Sequence, residues 1–180
     1  GTPSSKMEDA NPKDDRVVMQ GFTVTNNYIH DVAVEYMSAV GISTGFVVDT
    51  ILAHNELYNL PYSGFHIGYG WAAFPYSIVK NLRITNNYIH EVMTTLDDGG
   101  GIYTIGPTGG TTDNYNIISE NYIKNQYNNP AVLYTDSGSS YYKFCKNVID
   151  QSEVGKDSIL WTMSYLPIPF NTYLQRNYTT

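Results

Sequence analysis

From Val17 onward the chain is built of short runs in which apolar and polar residues alternate, the period of a strand with one buried face. One set of runs occupies residues 21–24, 50–53, 82–85, 115–119, 143–145 and 172–175. Each is followed by an asparagine and then, two places on, by an apolar residue: Ile29, Leu57, Ile89, Ile123 or Ile149. A second set, introduced by glycine or another small residue, occupies 41–44, 64–67, 101–104, 132–135 and 158–161. No segment carries a 3.6-residue amphipathic stripe with caps, so helix is expected to be minor.

The asparagines give the runs their order. Thr-Asn-Asn-Tyr-Ile-His occurs at 25–30 and again at 85–90, and weaker relatives follow, so that Asn27, Asn55, Asn87, Asn121, Asn147 and Asn177 recur at intervals of about 30 residues. Short strands repeating at that period, broken by Asn and Gly, predict an all-β chain: a right-handed parallel β-helix of five to six coils over residues 17–180. Asparagine tolerates the left-handed backbone of a tight corner, and stacked coils would set its amides one strand spacing apart in a ladder. A sandwich with ordinary Asn turns is the competing arrangement. Residues 1–16 are polar and have little to bury, which predicts a loose arm. A solenoid also exposes its ends, so the remainder of a longer β-helix or a second copy is the expected cover for them.

Composition narrows the partners. The 180 residues hold 10 Lys and Arg against 17 Asp and Glu, a net charge of −7, and no Lys or Arg lies between Val17 and Val79. Nucleic acid and anionic lipid are therefore poor partners. The one cysteine, Cys145, excludes an internal disulfide. No apolar run is long enough to enter a membrane as a helix.

Candidate chemistry lies on the second set of runs. With Ile42, Phe65, Ile102, Leu133 and Ile159 inward, alternation sends Ser43, His66, Tyr103, Tyr134 and Leu160 outward. Such a row offers hydrogen bonds and flat apolar faces to a sugar, or forms a solvated tyrosine-rich face. Beside it stand Asp97-Asp98-Gly99-Gly100-Gly101 and Thr135-Asp136-Ser137-Gly138. Paired carboxylates suit glycosidic cleavage, one as acid and one as nucleophile or base; alternatively these aspartates satisfy turn amides. On straight strands Asp98 and Asp136 would sit far apart, so the glycines must fold Asp98 back, with Asp97 next in line. Trp71, after Gly68-Tyr69-Gly70, is either a sugar-stacking platform or a core plug. His30, His54 and His90 read as turn residues. No His/Asp cluster has ligand spacing, so no metal or other cofactor is expected.

In these motifs the chain resembles the right-handed β-helix glycoside hydrolases that include bacterial α-L-fucosidases and xylan-active enzymes. The resemblance rests on Asn-Tyr-Ile-His-Asp (27–31), His-Asn-Glu-Leu-Tyr (54–58), Pro-Tyr-Ser-Gly (61–64), Gly-Tyr-Gly-Trp (68–71), Asp-Gly-Gly-Gly-Ile-Tyr-Thr (98–104) and Leu-Tyr-Thr-Asp-Ser-Gly-Ser-Ser (133–140). It implies a secreted, periplasmic or cell-surface enzyme acting on an oligo- or polysaccharide. Asp98 and Asp136 match the presumed catalytic carboxylates, with His66, Trp71, Tyr103, Tyr134 and Asp97 as substrate-binding candidates. Ser137 replaces the glutamate usual in that group, whose members run to several hundred residues. Two other readings stand beside this one: a non-catalytic glycan-binding or structural β-helix, and a polysaccharide lyase. The lyase is disfavoured because only Lys80, Arg83 and Lys124 lie between Ser38 and Ser140.

Overall fold

The computed structural model describes residues 7–71, 75–128, 130–154, 161–163 and 170–180. Its strands stack into a parallel β-solenoid of about five turns with almost no helix, as the repeat predicts. Each full coil contributes three strands rather than two. The first sheet stacks Thr23–Thr25, Ile51–Ala53, Arg83–Thr85, Asn116–Ser119, Tyr142–Cys145 and Tyr173–Gln175. The second stacks Tyr28–His30, Glu56–Tyr58, Tyr88–Val92, Tyr122–Gln126, Val148–Asp150 and Tyr178–Thr179. The third stacks Ile42–Thr44, Phe65–Gly68, Ile102–Ile105, Leu133–Thr135 and Trp161–Met163.

Between the first and second sheets runs the asparagine ladder. Asn27 donates through Nδ2 to Asn55 Oδ1 at 2.8 Å, and Asn55, Asn87, Asn121 and Asn147 each repeat this to the next asparagine at 2.9–3.1 Å. The same oxygens accept the backbone N–H of the preceding asparagine, and from Asn55 onward the Nδ2 groups also reach a main-chain carbonyl of the coil before, such as Val24 for Asn55. Each buried ladder amide is thereby used as donor and acceptor together. Leucine could fill the space but would strand these groups, and aspartate would bring charge without a donor.

The left-handed corner belongs to a different residue from the one the sequence suggested. Positive φ falls on Asn26 (59°), His54 (55°), Asn86 (57°), Glu120 (58°), Lys146 (58°) and Arg176 (53°), each immediately before its ladder asparagine. The chain turns on that single residue, and the asparagine after it is free to point its amide inward.

Inside, the first-sheet residues Leu52, Ile84, Ile118 and Phe144 stack in register, as do Leu57, Ile89, Ile123 and Ile149 from the second and Phe65, Ile102 and Leu133 from the third. Together they form one continuous core. The expected inward Ile159 and outward Leu160 lie outside the described residues. Trp161, two places later than expected, is the register partner of Leu133. Met7–Ala10 is a short helix whose Ala10 is fully buried with Phe46 and Val79, and Ala10 O accepts the backbone N–H of Ile78 at 2.9 Å.

The division of labour at the corner makes a paired prediction. Asn55→Ala strands buried groups on two coils and should cost about 3 kcal/mol. His54→Gly exchanges left-handed strain for backbone entropy and should change stability by less than about 1 kcal/mol. Urea denaturation of both variants checks the difference.

Candidate active site

The third sheet sets Ser43, His66, Tyr103 and Tyr134 side by side on its outer surface. Ring centroids are 4.9 Å apart from His66 to Tyr103 and 5.1 Å from Tyr103 to Tyr134, with planes crossed at 84° and 68°. The row exists as the alternation predicts, but its phenols do not offer flat faces. Tyr103 and Tyr134 are only 5% and 8% exposed and pack with Ile105 in a small cluster apart from the main core. Their rings stand edge to face, the arrangement favoured by aromatic quadrupoles, and their hydroxyls are turned to carboxylates.

Those hydrogen bonds cross between coils. Tyr103 donates to Asp136 Oδ2, and Tyr134 donates to Asp98 Oδ1 at 3.3 Å. Asp98 belongs to the coil of Tyr103, and Asp136 to the coil of Tyr134, so each phenol holds the carboxylate of its neighbour. Asp136 continues directly from its strand, where its N–H donates to Thr104 O at 2.8 Å. Its Oδ1 accepts from Ser137 N at 2.6 Å and from Ser137 Oγ at 3.3 Å. Ser137 thus grips the aspartate beside it.

Asp98 reaches Tyr134 of the next coil, and the glycines after it act by size rather than by φ. The left-handed residue is Asp98 itself, at φ 60°. A Cβ on Gly99 would lie 2.4 Å from Ser63 Oγ, one on Gly100 2.6 Å from Ala131 O, and one on Gly101 2.8 Å from Ile123 Cγ2. The three glycines therefore let this segment press against the coils on both sides. Ser63 Oγ also accepts the Gly100 N–H at 3.2 Å, and Gln126 Oε1 the Gly101 N–H at 2.7 Å.

Tyr62 donates its hydroxyl to the Asp98 carbonyl at 2.7 Å. It lies in Pro-Tyr-Ser-Gly, but it has no equivalent in neighbouring coils by which alternation could have placed it. Trp71 is half exposed and meets Tyr69 edge-on at 5.7 Å. Its loop abuts the site from the side: a Cβ on Gly106 would lie 2.5 Å from Tyr69 O, and Gly106 N donates to Ser137 O at 2.9 Å. Asp97 is exposed beside Asp98. The remaining histidines sit at or beside corners: His30 contacts Asp31 at 2.6 Å, His90 contacts Glu56 at 3.0 Å, and His54 is a left-handed residue.

Electrostatics separates the groups. Partial desolvation, then the charge of Asp136, raises the Asp98 carboxyl above the usual aspartate range, while the Tyr134 hydrogen bond works against the rise. Burial first, then the nearby carboxylates, pushes the phenols of Tyr103, Tyr134 and Tyr62 upward, so all three are neutral donors. Burial lowers His66, and the charge of Asp136 opposes this less strongly. Among the described residues no group of three His, Cys, Asp or Glu side chains is placed to hold a metal ion.

A separate groove of about 470 Å³ lies along the second sheet, lined by residues that include Tyr58, Tyr88, His90, Lys124 and Tyr127. Its charged walls are already paired, Lys124 with Glu153 at 2.5 Å and Tyr127 with Glu91.

No protein-family model and no curated protein matches the chain. A solved structure described as a glycoside hydrolase is similar to it, with 26% sequence identity and a TM-score of 0.76 over 93% of this chain. The match takes in 27% of that protein, so this chain spans about a quarter of its length. Fold and likeness together define a β-solenoid resembling a glycoside hydrolase.

The raised Asp98 carboxyl yields a signed expectation. Folding favours its protonated form, so its stabilising contribution is present at low pH and is lost as pH rises through the raised folded value. Carbon-detected NMR titration should place Asp98 above the ordinary aspartate midpoint. Asp136→Asn should lower that midpoint and Tyr134→Phe should raise it further.

Proposed function

We propose that this chain carries the catalytic carboxylates of a glycoside hydrolase, with Asp98 as general acid and Asp136 as nucleophile or general base. The observation that carries the reading is the crossed pair of tyrosine–aspartate hydrogen bonds, which ties each carboxyl group to the phenol of the adjacent coil. Glycosidic cleavage needs one carboxyl protonated and one ionised. Asp98 is the member whose ionisation is opposed, and it is exposed enough to meet a substrate oxygen. Asp136 accepts hydrogen bonds on both oxygens, as an ionised carboxylate does. Asp98 would protonate the leaving oxygen while Asp136 attacks the anomeric carbon or activates water against it.

The glycoside hydrolase likeness supports the class of reaction, and the motif resemblance supports the narrower group of fucosidases and xylan-active enzymes. A neutral glycan fits the charge: no Lys or Arg occurs in residues 17–79, 93–110 or 130–142, which hold the candidate site. The same lack speaks against uronate elimination, which needs a cation beside the substrate carboxylate. By this reading the protein works outside the cytoplasm, on extracellular or periplasmic glycan, and further coils of a longer solenoid contribute to the pocket.

Aryl fucoside, xyloside, arabinoside and galactoside test the reading. At least one should be hydrolysed, and Asp98→Asn and Asp136→Asn should each lower kcat by about 1000-fold or more. Folded protein that turns over none of them, or variants as active as wild type, would favour a β-solenoid that binds glycan without cleaving it.

A further inference from the structure

We infer that His66 sets the sugar specificity of this site, its neutral imidazole hydrogen-bonding one hydroxyl of the glycan held at Asp98 and Asp136; the inference rests on the glycosidase reading above. The third sheet places His66 between Ser43 and Tyr103, and its ring meets the Tyr103 ring edge-on at 4.9 Å. Tyr103 is the phenol that holds Asp136. The imidazole is thus beside the carboxylate pair, on the flank away from Tyr134.

Its Nε2 is buried and has no hydrogen-bond partner among the described residues. A buried ring nitrogen left unpaired is costly, and such a group calls for a partner beyond the described residues. The other histidines differ. His30 and His90 each contact a carboxylate, and His54 is at an exposed corner. His66 lies on the site face beside Tyr103, and its buried Nε2 lacks any such partner among the described residues.

The chemistry of that ligand follows from the ring's state. Burial holds His66 below the usual histidine range despite Asp136, so the imidazole is uncharged at neutral pH. It then presents one donor and one acceptor, which a hydroxyl can match from either side. An uncharged ring beside two aspartates gives no anchor for a carboxylate or sulfate. Asp136 already supplies the base in the proposed reaction, which leaves His66 recognition rather than proton transfer.

Monodeoxy analogues of whichever aryl glycoside is hydrolysed test this in wild type, His66→Gln and His66→Phe. A site that hydrogen-bonds a substrate hydroxyl strongly rejects the analogue lacking it. One deoxy position should lower kcat/KM by about 100-fold in wild type, and that penalty should shrink below about 5-fold in His66→Phe while His66→Gln keeps part of it. A penalty of equal size in wild type and His66→Phe, or no penalised position at all, overturns the inference. If His66→Phe does not fold, His66→Gln and an NMR titration decide. In the titration the His66 ring resonances of wild type are followed on addition of fucose, xylose, arabinose and galactose. A shift with one sugar is expected. No shift with any of them overturns the hydroxyl contact. Absence of turnover together with a His66 shift would instead fault the glycosidase reading alone.

Discussion

The ladder of asparagine amides is the constraint on which the rest of the solenoid depends. Parallel strands of three residues carry little register information of their own, and a slip of one residue would turn every inward side chain outward. The ladder removes that freedom. Each amide can satisfy its neighbours only when the coils stack asparagine on asparagine, so the intervals of 28, 32, 34, 26 and 30 residues are absorbed elsewhere. They are absorbed in the loops, and the loops are where Asp98 and Trp71 lie. Register then decides chemistry: Tyr103 and Tyr134 come side by side because Ile102 and Leu133 do, and crossed hydrogen bonds to Asp98 and Asp136 follow from that spacing.

Strain and satisfaction fall on separate residues along the ladder. At the corner between the first and second sheets the left-handed residue varies freely among Asn, His, Glu, Lys and Arg, while the residue after it is always Asn. At the site the left-handed residue is Asp98, and the glycines after it supply clearance. A segment so pressed between Ser63, Ala131 and Ile123 has little room to move, which suits a carboxylate that must meet its partner in a fixed geometry.

Much of this was legible in the sequence. The repeated hexapeptide reported the ladder, and period-two alternation correctly placed Phe65, Ile102 and Leu133 inside and His66, Tyr103 and Tyr134 on the outer face. Other features left no comparable signal. Second-sheet strands such as Tyr28–His30 and Glu56–Tyr58 show a single inward residue, Ile29 or Leu57, and the Tyr and His beside it read equally well as turn residues. The register of Trp161 on Leu133 left no such mark, because a loop of variable length precedes that strand and no asparagine indexes it. Alternation tells which face Tyr103 and Tyr134 occupy but not what lies over them, so their burial and their bonds to the aspartates needed coordinates. Tyr62 and Ala10 act through contacts specific to one coil, which a repeat cannot announce.

The most direct test of the account is a crystal structure of the Asp98→Asn protein with an intact oligosaccharide. The account predicts a glycan across the third sheet, its scissile oxygen within hydrogen-bond distance of residue 98 and its anomeric carbon facing Asp136. A glycan seated instead in the second-sheet groove beside Tyr88 and His90, with the aspartates untouched, would contradict it.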